Sequence, residues 1–304
     1  MNTPRILILG RSGQLATDIS GSLGLAREVA TFLGRADIDL TDPTAVRDAI
    51  ARANPDVVIN AAAYTDVDKA ESGAEERARA FALNATAPGL LAAACAERNV
   101  PFVHVSTDYV FPGTEPGARV ENDATGPVNV YGESKLAGER AVMAAGGKPL
   151  VVRTSWIYGA HGKNFFLTMR RLARVNVRLR VVADQHGAPT SSLTLAQALT
   201  RLAWVLHEGG HDFQTNVAGI YHLAAEGQTT WHGFAQAIVE GLRQREAIPC
   251  EDVEAIATAD FPTPAHRPMH SVLASGLFRR TFLFGLEDWH TGLDGVWRQL
   301  DQEA

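Results

Sequence analysis

Cysteine is scarce and unpatterned. Only Cys95 and Cys250 occur, with no C-x-x-C and no Cys/His spacing of the zinc-binding kind, which excludes a disulfide framework and a structural zinc. Cys95 lies in the apolar run "LLAAACAE" and reads as a small buried hydrophobe. An excess of positive charge is also missing. Lys and Arg number 28 against 34 Asp and Glu, a net charge of −6, so a nucleic acid or an anionic membrane would lack the clustered cations it requires. A small phosphorylated ligand needs only a local patch. Long apolar runs are absent too. The opening "MNTPRILILG" is too short for a secretory core, and nothing approaches a membrane span. These absences predict a cytoplasmic protein with neither nucleic acid nor membrane as partner, and they leave room for a homodimer.

The chain contains the means for a substantial core. Its 304 residues are 46% hydrophobic and 20% charged, enough for two domains, or for one large domain with a lobe. "RILILG" is a short apolar run ending in glycine, as a buried parallel strand would be. "SGQLATDISGSLG" then reads as a helix and "EVATFL" as a strand. "TDPTAVRDAIARANP" is a helix with Thr41 or Asp42 as its N-cap and Pro43 in its first turn. "DVVINAAA" and "FVHVSTD" are strands flanking the helical "EERARAFALNATAPGLLAAACAERN", and "LVVRTSW" follows a helix beginning near Tyr131. Strict alternation of strand and helix predicts an α/β doubly wound parallel sheet of the Rossmann type. Past about residue 155 helices mix with short strands ("LRVVAD", "GIYHLAA") and the Pro-rich "FPTPAHRPMHS", read as an ordered interface loop. The expected division is a dinucleotide-binding domain over residues 1–155 and a smaller mixed α/β substrate domain over 156–304, with some later elements returning to the first.

"LILGRSGQLA" places Gly10, Gly13 and Ala16 at the first strand-to-helix turn. Gly10 would allow a sharp turn, Gly13 the close approach of a pyrophosphate, and the helix start would offer unpaired N–H groups to an anion. Glycines alone are weak support, but a strand before and a helix after form the context that a dinucleotide site needs. The end of the second strand usually selects the cofactor, through a carboxylate on the ribose 2′-hydroxyl. Here "FLGRADIDL" puts Gly34 and Arg35 where that acid would stand. A guanidinium pairs with a 2′-phosphate, so the reading favours NADPH, with NADH as the alternative. Asp39 is either an adenine-side contact or a helix-start residue.

Tyr131 and Lys135 lie four positions apart in "PVNVYGESKLAGE", one face of one helix. A phenol near pKa 10 exchanges protons poorly at neutral pH, and a neighbouring ammonium would lower that value. The pair thus suits a general acid for carbonyl reduction, or a base for alcohol oxidation. On its own, Y-x-x-x-K is common by chance. In "VHVSTDYVFPG", however, Ser106 and Thr107 end the fourth strand, at the edge where open α/β sheets bind ligands.

These elements resemble the extended short-chain dehydrogenase/reductase superfamily, whose Ser/Thr–Tyr–Lys triad maps onto Thr107, Tyr131 and Lys135. "NAAAYTDVDKAE", "STDYVFPG", "PVNVYGESKLAGE", "RTSWIYG", "GKNF", "DQHGAPT", "GIYHLA" and "PTPAHRPMHS" are similar, in order, to the motifs of the dTDP-4-dehydrorhamnose reductase family. The resemblance implies that NAD(P)H reduces C4 of a dTDP-4-dehydro-sugar. Tyr131 would give the proton, Lys135 would hold the nicotinamide ribose and lower the Tyr131 pKa, and Thr107 would bond the C4 oxygen. It further implies that Gly13, Gln14 and Leu15 line the pyrophosphate and that Ala63, Tyr64 and Thr65 flank the cofactor with support from Asn84; Leu40, next to Asp39, is also expected among the cofactor-binding residues. Asp108 and Trp156 would face the dTDP-sugar, and Arg267 its diphosphate.

Some family members are described with magnesium held by glutamates, one after the glycine loop and one after "APT". Those places here carry Asp18 and Leu193. Leucine cannot bind a metal and no oxygen cluster is visible, so magnesium is not predicted. Sugar-nucleotide dehydratases carry an acid directly after Thr-Asp, where this chain has Tyr109, which counts against dehydration. Two alternatives remain: another nucleotide-sugar 4-ketoreductase or epimerase, and a non-catalytic NADP-binding subunit like that of methionine adenosyltransferase.

Overall fold

The computed structural model describes residues 3–303. Five short strands, β1 (Ile6–Leu9), β2 (Ala30–Leu33), β3 (Val57–Asn60), β4 (Phe102–Thr107) and β5 (Pro149–Thr154), form a parallel sheet in the order β2-β1-β3-β4-β5. Each alternates with helices: α1 (Gln14–Leu23) and α2 (Pro43–Ala53), then α3 (Val67–Ala70), α4 (Ala74–Phe81) and α5 (Ala87–Glu97), then α6 (Val130–Ala144). Strands β1, β3 and β5 are buried at every position, because both sheet faces are covered. Ile6, Ile8, Val57 and Ile59 point into one core layer with α1, while Leu7, Leu9 and Val58 point into another with α2 and α5. Strand order reverses between β1 and β3, where the crevice for a ligand opens at the carboxyl edge.

The sixth strand, Gly219–His222, pairs in parallel with β5. Helix α7 (Phe165–Ala173) precedes α8 (Ser192–Asn216), which breaks at Gly210 and packs its Leu195, Leu199 and Leu202 into the same core as α1. The rest of the second half gathers around Phe166, Phe234, Val296 and Trp297, from α7, α9 (Trp231–Arg243) and α11 (Trp289–Glu303); α10 (Gly276–Phe282) joins the sheet core instead. Among the described residues the strand pairs there are two or five residues long, including Arg178–Val182 in parallel with Asp252–Ile256.

Several local features follow from the residues. Asp42 caps α2 by accepting from the Thr44 N–H at 2.8 Å, and Pro43 occupies its first turn, a cap worth about 1 kcal/mol. The helix expected to run unbroken through "FALNATAPG" instead opens into a π-turn at Ala82–Thr86 before α5. Pro88 lacks the N–H a continuous ladder would use, and π-turns of this kind mark functional sites. The Pro-rich loop is held by bonds to distant parts of the sequence, including Asn129 Nδ2 to the His266 carbonyl at 2.7 Å.

Candidate active site

The glycine loop joins β1 to α1. Gly10 has φ +112°, and a Cβ there would lie 3.0 Å from the Ala61 carbonyl carbon and the Ala62 nitrogen, so no other residue fits without shifting β3's exit loop. Gly13 caps α1 without a side chain, leaving first-turn N–H groups aimed outward for an anion. The side chains of the next two residues turn elsewhere. Leu15 is buried in the core, and Gln14 Oε1 accepts from Asn164 Nδ2 at 2.7 Å. Leu15 can therefore meet a pyrophosphate only through its backbone N–H, while Gln14 keeps its side-chain Nε2 as a further donor. Asn164, from "GKNF", also caps α7, which ties the second half to the phosphate loop.

The corner after β2 differs from the sequence reading. Arg35 is exposed and makes no hydrogen bond or ion pair among the described residues. A carboxylate does stand at this corner: Asp37 accepts from the Gly34 N–H at 2.8 Å and faces Arg11 Nη1 at 3.4 Å. The Gly34 N–H, with help from Arg11, holds the Asp37 carboxyl below its usual range. Arg11 and Asp37 were hidden from sequence inspection because one belongs to the glycine loop and the other lies beyond the strand end. The corner thus offers two guanidinium groups, with one carboxylate already engaged. Asp39 closes a turn by accepting from the Thr41 N–H and hydroxyl at 2.9 and 2.7 Å; Leu40 packs against the α2 core layer.

After β3, Ala63 and Tyr64 are half-buried and Thr65 is exposed. Asn84, wholly buried in the π-turn, accepts from the Tyr64 N–H at 2.9 Å and donates to the Tyr64 carbonyl at 3.0 Å and to Ser134 Oγ at 2.9 Å. Tyr64 donates its hydroxyl to Glu76 at 2.8 Å. Gly138 on α6 admits the π-turn, since a Cβ there would fall 1.9 Å from the Asn84 carbonyl oxygen. That contact explains the glycine of "KLAGE".

At the carboxyl edge of β4, Thr107 donates to Asp108 Oδ1 at 3.0 Å and accepts from the Tyr109 N–H at 3.2 Å. Helix α6 begins at Asn129, whose side chain caps the Gly132 N–H at 2.8 Å; this sets Tyr131 in the first turn, beside Thr107. Burial pushes the Tyr131 phenol up to about 12, against the lowering contributed by Thr107. The expected depression by the Lys135 ammonium is not what the structure holds. Lys135 is buried, donates to the Val105 carbonyl at 2.7 Å and lies 3.5 Å from His104 Nε2. Burial brings Lys135 itself down to about 8, partly offset by Glu139. Asp108, also buried, is pushed up to about 7 by that burial, against the lowering contributed by Ser271 and Thr107.

Beneath the pair lies an ion pair that sequence inspection missed. Arg153 Nε and Nη2 donate to the two oxygens of Glu139 at 2.9 and 2.7 Å, both side chains almost wholly buried. Ser106 Oγ adds a third bond to Glu139 at 2.6 Å. The arginine of "RTSW" therefore locks α6 to β5. The only sequence signal was a glutamate four residues past Lys135, on the buried face.

Trp156 has φ +46°, a left-handed conformation rare for a bulky residue. Its indole is stacked on Trp231 with 3.6 Å between ring centroids, and Nε1 donates to Ser271 at 3.1 Å. Gly187 lies against the indole, where a Cβ would come within 2.3 Å. Arg267 makes a forked pair with Asp68 of α3, at 2.7 and 3.1 Å, and remains about one-fifth exposed. Asp18 is buried and accepts from Ser192, with His161 Nε2 at 3.8 Å. Among the described residues no three His, Cys, Asp or Glu side chains converge as a metal site would require.

The chain matches the family model described as "RmlD substrate binding domain" over residues 4–302. It is 42% identical to a dTDP-4-dehydrorhamnose reductase of Burkholderia thailandensis across 94% of this chain and 95% of that one. It is 39% identical to one from Escherichia coli K12, covering 97% of each. Among solved structures, a Bacillus anthracis dTDP-4-dehydrorhamnose reductase in complex with NADP superposes with a TM-score of 0.88 at 30% identity, covering 98% of this chain and all of that one.

Proposed function

The chain belongs to the dTDP-4-dehydrorhamnose reductase family, and we propose that it reduces the C4 ketone of dTDP-4-dehydro-L-rhamnose to give dTDP-L-rhamnose. The observation that carries this reading is the convergence of Thr107, Tyr131 and Lys135 at the carboxyl edge of β4, across the sheet from the glycine loop. NADPH, when bound, supplies the hydride. Its fit is supported by the Gly10 turn, the open N–H groups at the start of α1, and the guanidinium groups of Arg11 and Arg35 beside the ribose corner. In this division residues 1–155 carry the cofactor and much of 156–304 the nucleotide sugar.

The chain's own residues then act as follows. Thr107 aligns the C4 oxygen with Tyr131. A phenol lifted to about 12 stays fully protonated at neutral pH, the state an acid needs until negative charge develops on the substrate oxygen. Tyr131 gives its proton to that oxygen, Lys135, poised near 8, replenishes it, and solvent returns a proton to Lys135 before the next turnover. Asp108 and Trp156 bound the sugar side, and Arg267 can meet a diphosphate only by sharing its guanidinium with Asp68. The test is loss of NADPH absorbance with dTDP-4-dehydro-L-rhamnose generated in place, and identification of the product by mass and NMR. No turnover of that sugar alongside turnover of another 4-ketosugar would redirect the assignment.

A further inference from the structure

His104 stands on β4 with neither ring nitrogen reaching the ligand crevice. The ring is wholly buried between Asn60 of β3 and Lys135 of α6. Its protonation pattern follows from a backbone group. The Ala62 N–H can only donate, and it meets Asn60 Oδ1 at 3.1 Å. That contact turns the Asn60 amide so that Nδ2, also a donor, faces His104 Nδ1 at 3.1 Å. Nδ1 must then be the bare, accepting nitrogen, and the ring proton sits on Nε2. Nε2–H points at Lys135 Nζ, 3.5 Å away. An ammonium has three donors and no acceptor, so it finds no partner in Nε2–H; a neutral amine has a lone pair that does. Lys135's other contact, the Val105 carbonyl at 2.7 Å, suits either form.

We propose that the relay from the Ala62 N–H through Asn60 fixes His104 as its Nε2–H tautomer, making His104 a positioning residue that favours the amine form of Lys135. Resting on the proposed reduction, the role is plain. A lysine that returns a proton to Tyr131 in every turnover passes through the amine, and His104 supplies the one donor this amine accepts. The titratable and charged groups facing the pair are few. Glu139 and Tyr131 come from α6 itself, Arg153 from β5 is neutralised by Glu139, and Asp108 lies beyond Thr107. Burial and the Lys135 charge both keep His104 neutral, and burial lowers Lys135, in agreement with the geometry.

Nitrogen-15 NMR of the intact protein reads the tautomer without reference to activity. The His104 signal, assigned by its loss in His104→Phe among the ten histidines, should show a bare Nδ1 and a protonated Nε2, unchanged from about pH 6 to about pH 9. An Nδ1–H tautomer or an imidazolium would overturn the proposal. Asn60→Asp reverses the relay, because a carboxylate keeps the Ala62 N–H on one oxygen and takes Nδ1–H on the other, turning Nε2 into an acceptor for the ammonium. The alkaline limb of the kcat profile should then move up by about one pH unit, with little change in KM. The same shift surviving in Asn60→Asp/His104→Phe would assign it to the added charge alone and also overturn the proposal. If the wild type fails to reduce the ketosugar, the proposed reaction falls while the NMR result still decides the tautomer.

Discussion

Two corners of the ligand crevice are built on opposite principles. Around β4 and α6 the functional groups are buried and tied to one another: Lys135, His104, Asn60, Glu139 and Arg153 are each no more than 2% exposed. At the end of β2 the charged groups stand in solvent, and the Arg11–Asp37 pair has its arginine side chain 63% exposed. The first corner holds protons in place by removing water from around them. The second leaves its charges in solvent, where an ion pair is worth at most about 1 kcal/mol. The proposed chemistry falls in the buried corner, and the proposed choice of cofactor in the exposed one.

Substitutions that break the buried corner should therefore have the largest effects. Tyr131→Phe is expected to cut ketosugar reduction by about 10²-fold or more without changing the melting curve; near-normal turnover would remove Tyr131 from its role. Glu139→Ala leaves Arg153 charged and unpaired inside the sheet layer, a loss of about 3–5 kcal/mol to be read from urea unfolding. Activity should fall with it, because α6 loses its lock on β5. If the midpoint is unchanged, the buried pair contributes less than its geometry implies.

Asp108 carries a pH signature. Its carboxyl is raised from 3.8 to about 7 in the folded chain, so its favourable protonated form is fully present below pH 3.8 and that contribution to stability is lost as pH rises through 7. Asp108→Asn should stabilise the protein above pH 7, by up to a few kcal/mol, and this gain should shrink toward pH 4. A constant difference between the two melting temperatures across that range would show that Asp108 is not the group titrating.

The exposed corner should respond more gently and by ligand. Arg35→Ala and Arg11→Ala are each expected to weaken NADPH binding by about tenfold, the scale of one charge-assisted contact, while NADH binding changes little. Equal effects on both cofactors, by fluorescence titration, would place these arginines away from the 2′-phosphate. Arg11→Ala also frees Asp37, so it should shift preference toward NADH more than Arg35→Ala does.

Of the buried corner, the triad was legible from the sequence, while the groups packed behind it were not. A side chain at i and another at i+4 share a helix face wherever the helix lies, and a hydroxyl at a strand's end reaches the carboxyl edge by the strand's own direction. Thr107, Tyr131 and Lys135 obey those local rules. What those rules cannot supply is a partner distant in the chain. Asp37 meets Arg11 across 26 residues, Glu139 meets Arg153 across a helix-to-strand turn, and Arg267 meets Asp68 across 199 residues of chain. The strand Gly219–His222 is likewise legible as a strand but not as the neighbour of β5, since periodicity says nothing about pairing.

The sign of a pKa shift belongs to the same class. From sequence, Lys135 beside Tyr131 suggests a lowered phenol, because a charge one turn away is all that spacing reveals. Packing brings in the opposing influence, desolvation, and turns the phenol up and the lysine down. By itself the sequence determined the alternation of strand and helix, the glycine turn and the triad's spacing, all consequences of covalent geometry over a few residues. Only the tertiary structure decided which charges are buried, which are paired and which way each proton leans, because dielectric and hydrogen-bond partners are set by whatever the fold places nearby.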